Sequence, residues 1–207
     1  FIVCSFGFVA PTKLSDSLLN AWLFSSLSKE SSCYLIYVGE LDGGEYGASL
    51  IQIMRDNKLQ QQIRVTGFIS ELVYKQYLSI ADIAVQLRTL SRGETSKAVL
   101  DCMAHGIPLI LNEHGTLAEY PKDIAYFVPD NFSDQELGEA LTKLYQNKDL
   151  RVSLKEKSLQ YIKERHHPRK IGQLYYEAIE QFITVSSTVR HQRFLQDAIH
   201  EHSADKS

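Results

Sequence analysis

The segment 87–108, LRTLSRGETSKAVLDCMAHGIP, contains the residue types best suited to chemistry in this sequence. Its pattern predicts a strand, a polar loop, the start of a helix, a glycine that ends the helix, and a second strand. A helix N-terminus near Thr95 and Ser96 offers unpaired N–H groups and a partial positive charge, which suit a phosphate. Gly93 permits close approach of the backbone.

Two acidic residues in this segment, Glu94 and Asp101, are candidates for contacts with a polyhydroxyl ligand. If the helix is regular, the two carboxylates share one face about two turns apart, because a helix has 3.6 residues per turn. The structural alternative is that Glu94 caps the helix and that Asp101 forms an i,i+4 ion pair with Lys97. The spacing alone leaves both interpretations open.

Short apolar runs alternate with segments of helical periodicity, and these elements must position the candidate residues. Ser15 or Asp16 is the expected cap of the first helix, and the capping box of Ser133 and Glu136 begins a group of C-terminal helices. The alternation predicts an α/β fold, a Rossmann-like parallel sheet of about six strands with helices on both faces, plus C-terminal helices. The predicted strands are residues 1–9, 33–38, 63–68, 83–87, 107–111 and 124–128, and the later helices are 48–59, 70–80, 95–105, 148–164 and 169–183.

One domain is predicted over residues 1–184, and the Ser-rich and then charged residues 185–207 are predicted to be a linker or partly helical tail. Parallel sheets bind ligands beyond the carboxyl ends of their strands. We therefore expect the site residues just after the strands, around residues 7–13, 39–40, 67–68, 88–96 and 112–116.

The composition limits the classes of partner and site. The net charge is 22 − 25 = −3, so neither nucleic acid nor an anionic membrane is indicated, and a phosphate site must be local. Cys4, Cys33 and Cys102 lie in apolar runs without metal-ligand spacing, which indicates a reducing compartment and no metal site. The chain begins with Phe1 inside a strand-like run, and we expect an N-terminal portion outside this sequence.

The segment 87–108 resembles the signature of the family 4 glycosyltransferases, retaining and metal-independent enzymes with two Rossmann-like domains (the GT-B fold). The run LDCMAHGIPLI matches the second half of that signature. Asp101 falls where the family's second acid binds the nucleotide ribose, and Glu94 falls near the first acid, which contacts the donor sugar. The match has two departures, because Asp101 is one methylene shorter than glutamate and six residues rather than seven separate the acids. The form SRGETS resembles bacterial polysaccharide mannosyltransferases, so GDP-mannose is the first choice of donor.

The resemblance extends over about residues 1–183 and includes a phosphate-binding loop. The run FGFVAPTK, which contains Gly7, resembles the family's Gly-Arg…Lys-Gly loop, whose cations hold the donor diphosphate. Lys13 matches the lysine, whereas Phe8 and Leu14 stand where the family has arginine and the second glycine. We expect another cation to replace the arginine, and the candidates are Arg88 and Arg92.

Other strand ends match family elements near the nucleobase and the donor sugar. Gly39 and Gly67 would permit close backbone approach, or they are ordinary turn glycines. Phe68 or Ile69 is expected against the base. The run NEHGTLAEY matches an element that lines the donor sugar, which implicates the backbone of its central residues, Gly115 and Thr116.

The resemblance implies that the chain is the donor-binding half of a hexosyltransferase, with Lys13 and Glu94 as catalytic residues and no cofactor. The donor, a GDP- or UDP-linked sugar, is a substrate. The acceptor-binding N-terminal domain is the implied partner, and the isolated chain is expected to bind donor but to do little chemistry. The implied location is the cytoplasm, with peripheral membrane association of the full-length enzyme at the inner face left open. The alternatives are a non-enzymatic nucleotide-binding module and a nucleotide-sugar epimerase of the same fold.

Overall fold

The computed structural model describes the backbone of residues 1–204 and the side chains of residues 1–196. Across this part of the chain, six short apolar segments form one sheet in which every neighbouring pair of strands is parallel. The strand order is β3-β2-β1-β4-β5-β6, which confirms the predicted Rossmann-like sheet. The strands are β1 (Ile2–Phe6), β2 (Tyr34–Val38), β3 (Ile63–Val65), β4 (Ile83–Gln86), β5 (Leu109–Asn112) and β6 (Tyr126–Val128).

The order of the strands reverses between β1 and β4, which are neighbours in the sheet but distant in sequence. At such a switch point the connections leave in opposite directions, so a crevice opens beyond the carboxyl ends of these strands. The ends of β1 and β4 are therefore the place where a ligand site is expected.

The predicted helices are all present in the described residues. They are α1 (Ser15–Phe24), α2 (Glu45–Asp56), α3 (Glu71–Ile80), α4 (Lys97–Ala104), α5 (Asp134–Gln146), α6 (Lys148–Arg165) and α7 (Pro168–Ala204). Ser70 caps α3, Ser96 caps α4, and Ser133 with Glu136 forms the predicted capping box of α5. Each serine hydroxyl accepts a hydrogen bond from a backbone N–H of the first turn, which satisfies a group that the helix leaves unpaired.

The predicted cap of α1 is wrong. The capping residue is Leu14, not Ser15 or Asp16, because a 3₁₀ turn over Pro11–Lys13 precedes the helix and ends in the left-handed conformation of Leu14 (φ 50°). The carboxylate of Asp16 instead accepts a hydrogen bond from the Tyr46 hydroxyl at 2.9 Å. A residue with a Cβ is strained at positive φ, which is the conformation that glycine adopts freely.

Two apolar clusters cover the two faces of the sheet. One contains Val3 and Tyr37 of the sheet with Trp22 of α1 and Leu141 of α5, all buried. The other contains Cys4 of β1 and Met103 of α4, together with Leu78 of α3 and strand residues of the same face. Successive strand residues alternate between the clusters, because side chains of a strand point to opposite faces. Helices therefore cover both faces, as predicted.

The chain divides into two compact units, residues 1–162 and the residues from Lys163 onward. In the second unit, α7 continues through the Ser-rich stretch that follows residue 184. The hydroxyls of Ser187 and Thr188 donate to the carbonyl of Thr184, at 2.8 and 2.9 Å, so these side chains are satisfied within the helix. The domain boundary at residue 184 stays a prediction, and the last three residues of the predicted tail, 205–207, lie outside the described part of the chain.

Among the described helices, none combines the length and the apolar character that crossing a membrane requires.

Candidate functional site

A cavity of about 420 Å³ opens at the switch point, beyond the ends of β1 and β4. It brings together Gly7, Lys13 and Arg88, three predicted site residues from two loops distant in sequence, and Ile69, a candidate for contact with the base. Its position agrees with the rule for parallel sheets. The residues that line it are Phe6, Gly7, Lys13, Ile69, Glu71, Tyr74, Arg88, Lys97 and Ala98.

Lys13 and Arg88 place two positive charges on the cavity wall. Lys13 ends the 3₁₀ turn after β1, and the backbone N–H of Thr89 donates to the carbonyl of Thr12 at 3.1 Å, which joins the two loops. Burial and the nearby Arg88 charge lower the pKa of Lys13 to about 8, and the charge of Glu94 opposes this shift. A desolvated lysine beside a second cation favours binding of an anion, since an anion restores the stability of the charged form.

The N-terminus of α4 lies at the same cavity. Ser96 is buried, and its hydroxyl accepts from the Val99 N–H and from the Arg88 guanidinium, each at 3.4 Å. Lys97, the first residue of α4, lines the cavity. Lysine, arginine and a helix N-terminus all attract negative charge, so the arrangement suits phosphate groups.

Glu94 lies outside α4, so the prediction that Glu94 and Asp101 share one helical face is wrong. The helix begins only at Lys97, because Ser96 takes the capping position. The exposed Glu94 carboxylate accepts from the Arg92 N–H at 2.7 Å, and backbone N–H groups lower the pKa of this carboxyl. Glu94 therefore does not act as the helix cap either.

The two loops predicted to contact a donor sugar lie against each other. The Thr116 hydroxyl donates to the carbonyl of Glu94 at 3.0 Å. A Cβ on Gly115, which has φ 51°, would overlap the Cβ of Ser91, so this contact requires glycine. Residues 91–94 and 114–116, called here the donor loops, thus form one surface.

Asn112 joins the cavity wall to the donor loops, a role that was not predicted from the sequence. Its fully buried side chain accepts from the Arg88 N–H at 2.9 Å and donates to the Arg88 carbonyl at 2.8 Å. The same amide donates to the Asp130 carboxylate at 3.0 Å, and His114 Nδ1 lies 3.0 Å from both oxygens of that carboxylate. A buried asparagine that ends an apolar strand was the signal available in the sequence, because a buried amide needs partners.

Asp101 forms the predicted ion pair with Lys97, at 2.5 Å, so this part of the structural alternative is confirmed. The same carboxylate oxygen, Oδ2, accepts a hydrogen bond from the Tyr74 hydroxyl at 3.0 Å. A role of Asp101 in ribose binding stays a prediction.

The two glycines at the strand ends differ in what requires them. A Cβ on Gly39 would overlap the carbonyl oxygen of Gly7, so packing of β1 against β2 requires this glycine. Around Gly67 a Cβ would meet no atom within 4 Å, and it is the backbone φ of 72° that favours glycine there. Phe68 is 88% exposed, whereas Ile69 lines the cavity, so Ile69 is the better placed of the two candidates for contact with a base.

Several predicted residues lie away from the cavity. Phe8 is half exposed, and the side chains of Arg92 and Thr95 are exposed. Of the two candidate cations, Arg88 is therefore the one that accompanies Lys13. Among the cavity residues not predicted from the sequence, Glu71 and Tyr74 lie one turn apart on α3, and this spacing after the Ser70 cap was the available signal. Within the part of the chain that the structure describes, no group of three or more His, Cys, Asp or Glu residues could hold a metal ion.

Comparison with known families shows which family the chain belongs to. Residues 1–161 match the family described as "Glycosyl transferases group 1". The chain belongs to the group 1 glycosyl transferase family. In this chain, the cavity lined by Lys13 and Arg88, called here the Lys13–Arg88 cavity, lies at the switch point of the sheet. No curated protein sequence matches the chain.

Three solved structures illustrate that this fold is shared with known proteins. Anabaena Alr3699/HepE in complex with UDP and glucose is 18% identical with a TM-score of 0.73, and the match covers 87% of this chain and 48% of that one. The C-terminal domain of the Francisella tularensis protein LpcC is 20% identical with a TM-score of 0.72, covering 81% and 87%. The pneumococcal O-GlcNAc transferase GtfA in complex with UDP and GlcNAc is 18% identical with a TM-score of 0.70, covering 87% and 35%. The chain spans about half the length of the Anabaena structure.

Proposed function

We propose that this chain is the donor-binding half of a retaining, metal-independent glycosyltransferase that transfers a hexose from a nucleotide sugar. The observation that supports the proposal is the convergence of Lys13, Arg88 and the N-terminus of α4 on one cavity. These groups are the ones that a diphosphate requires when no metal ion neutralises it. The acceptor and its contacts come from a second half, which is the proposed partner.

The proposed mechanism follows from where charge develops. When the bond between the sugar and the diphosphate breaks, negative charge builds on the leaving phosphate. Lys13, Arg88 and the first N–H groups of α4 stabilise that charge, each well-placed donor contributing about 3–4 kcal/mol. Because burial and Arg88 lower the pKa of Lys13, a bound diphosphate draws Lys13 into its charged form.

The donor loops are the proposed sugar subsite. Glu94 orients hydroxyls of the hexose, and the backbone of Gly115 and Thr116 lines the same subsite, because Thr116 is hydrogen-bonded to Glu94. Asp101 is the proposed acid of the ribose subsite. The acceptor hydroxyl attacks the face of the sugar that the diphosphate leaves, which gives retention.

The proposed donor is GDP-mannose or a UDP-linked hexose. The run SRGETS favours mannose, whereas the solved HepE and GtfA complexes contain UDP with glucose and with GlcNAc. The proposed location is the cytoplasm, and the full-length enzyme is proposed to meet its acceptor at the inner face of the membrane.

Calorimetric titration with GDP, UDP, GDP-mannose and UDP-glucose in EDTA tests this proposal. We expect at least one pair of nucleotide and nucleotide sugar to bind without a divalent ion. Lys13→Ala should weaken that binding about tenfold or more, because a hydrogen bond to a charged group contributes about 1.5–3 kcal/mol. Lys29→Ala is the matched control, since Lys29 also ends a 3₁₀ turn but is exposed and does not line this cavity. Binding only after Mg²⁺ is added would contradict the metal-independent mechanism, and no binding at all would contradict the donor site.

A further inference from the structure

Tyr74 lies between the cavity and Asp101, the acid predicted to bind ribose. The Tyr74 side chain lines the cavity, whereas Asp101 is not one of the residues on its wall. The Asp101 side chain is 24% exposed, and its Oδ2 is held by both Tyr74 and Lys97. A ligand that fills the cavity therefore contacts Tyr74, which is itself hydrogen-bonded to Asp101.

The contacts of Tyr74 fix the direction of its hydroxyl proton. The O–H donates to Asp101 Oδ2 at 3.0 Å, and the ring packs edge-on against Phe6 with 5.3 Å between centroids. Burial and the Asp101 charge raise the pKa of Tyr74 above its usual value, so the phenol stays protonated at neutral pH. A phenol whose proton is committed to a carboxylate can offer a ligand only its oxygen lone pairs.

The other polar side chains on the cavity wall are either positively charged donors or a negatively charged acceptor. Lys13, Arg88 and Lys97 are donors, which suit phosphate oxygens. Glu71 is an acceptor, but one of its carboxylate oxygens is paired with Lys75 at 2.7 Å and its side chain is 80% exposed, so water competes for the remaining lone pairs. Tyr74 is thus the partly buried acceptor on the wall, and a ligand hydroxyl can donate to the free lone pairs of its oxygen.

We infer that Tyr74 is a specificity-determining residue that accepts a hydrogen bond from a ribose hydroxyl of the nucleotide, with Asp101 acting through it by holding its proton. The inference rests on the proposed function, because it requires a nucleotide in the Lys13–Arg88 cavity. It differs from the sequence-based expectation in assigning the first contact with the ribose to the phenol of α3 rather than to the carboxylate of α4.

The test compares ribonucleotides with deoxynucleotides in the Tyr74→Phe variant of the full chain. The probes are GDP or UDP, whichever binds the unaltered chain more tightly, and its 2′-deoxy and 3′-deoxy counterparts. In the unaltered chain we expect at least one deoxynucleotide to bind roughly fivefold to tenfold more weakly than the ribonucleotide, the effect of one hydrogen bond. In Tyr74→Phe the ribonucleotide should weaken by a similar factor while that deoxynucleotide is unaffected, so that the preference disappears.

The matched control is Tyr77→Phe, on the same helix and packed on the same apolar cluster. It should leave both affinities and their ratio unchanged. The inference is overturned if Tyr74→Phe weakens ribonucleotide and deoxynucleotide equally, which would indicate a structural role, or if the unaltered chain shows no preference for ribose. The absence of any nucleotide binding by the unaltered chain is a separate outcome, which overturns the proposed function and the inference with it.

Discussion

The cavity wall and the donor loops are both predicted to contact one ligand, but they are built differently. On the wall, Lys13 and Arg88 are partly buried, and the Arg88 backbone is held on both sides by the buried amide of Asn112. In the donor loops, Glu94 is exposed, and a single side-chain hydrogen bond, from Thr116, joins its backbone to the neighbouring loop. The charges proposed to bind the diphosphate are thus preorganised, whereas the proposed sugar subsite is an open surface.

This difference indicates which part of the chemistry the chain can perform by itself. Charged side chains that are already held in place need not rearrange when a diphosphate binds, and such groups stabilise a leaving phosphate. An exposed carboxylate contributes less, because water competes for its hydrogen bonds. We therefore expect the diphosphate to contribute most of the affinity for a nucleotide sugar and the sugar to contribute little, and the following predictions test that contrast.

The largest effect is expected for Asn112→Ala, because Asn112 joins both regions. The substitution leaves the N–H and the carbonyl of Arg88 without their partner, and each buried unsatisfied group costs about 1–3 kcal/mol. We expect the free energy of unfolding to fall by about 2–4 kcal/mol in chemical denaturation, with weaker nucleotide binding. Glu113→Ala is the control, since the exposed pair of Glu113 with Lys122 contributes at most about 1 kcal/mol. A loss for Asn112→Ala no larger than that of the control would show that Arg88 does not depend on this amide.

The second effect is a pH dependence of nucleotide binding set by Lys13. Its pKa is lowered to about 8, so the free chain loses this charge as the pH rises above 8, whereas a bound diphosphate favours the protonated form. Affinity for the nucleoside diphosphate should therefore be constant from about pH 7 to just below 8 and then fall, approaching tenfold per pH unit. The same shift makes the free chain more stable as the pH rises from about 8 toward 10.5, because the unfolded chain still binds the proton.

Calorimetry at about pH 7, 8 and 9 measures this dependence. Lys13→Arg is the control, because arginine stays charged throughout this range, and its affinity should not vary with pH. If the affinity of the unaltered chain also did not vary with pH, Lys13 would be excluded from the diphosphate contacts.

The smallest effect is expected for Glu94→Gln. Because Glu94 is exposed and outside α4, affinity for the bare nucleoside diphosphate should change by less than about twofold, while affinity for the nucleotide sugar should fall about fivefold, as for one hydrogen bond. Glu119→Gln, an exposed acid at the end of the neighbouring 3₁₀ turn, should change neither affinity. Equal losses for both ligands in Glu94→Gln would assign Glu94 to the nucleotide subsite or to the fold.

The fold was predictable from the sequence because the strands of this sheet are buried on both faces. A continuous apolar run such as residues 83–87 is typical of a strand covered by helices on both sides, and serines such as Ser70 and Ser133 mark helix starts through local hydrogen bonds. Lys13 and Arg88 were predictable for a related reason, since each follows a recognisable strand and strand ends of a parallel sheet meet at one edge.

The rest of the site depends on distances between separate elements, which residue patterns do not determine. Asp130 reaches Asn112 and His114 only because β5 and β6 are paired in one register, and Tyr74 reaches Asp101 only because α3 packs beside α4. The predicted start of α4 at residue 95 lies two residues before the observed start at Lys97, because the polar run before the helix offers several capping residues and only the fold selects Ser96. Leu14 adopts a left-handed conformation that no local propensity favours.

Whether Lys13 and Arg88 hold a diphosphate without a metal ion is tested by comparing a nucleoside diphosphate with the corresponding monophosphate. The measurement is calorimetry in EDTA, for the unaltered chain and for Lys13→Ala. In the unaltered chain the second phosphate should increase affinity roughly tenfold to hundredfold. In Lys13→Ala that gain should fall to a few-fold, with the monophosphate affinity changed much less. If the second phosphate increased affinity equally in the unaltered chain and in Lys13→Ala, or only after Mg²⁺ was added, Lys13 and Arg88 would not be the diphosphate site.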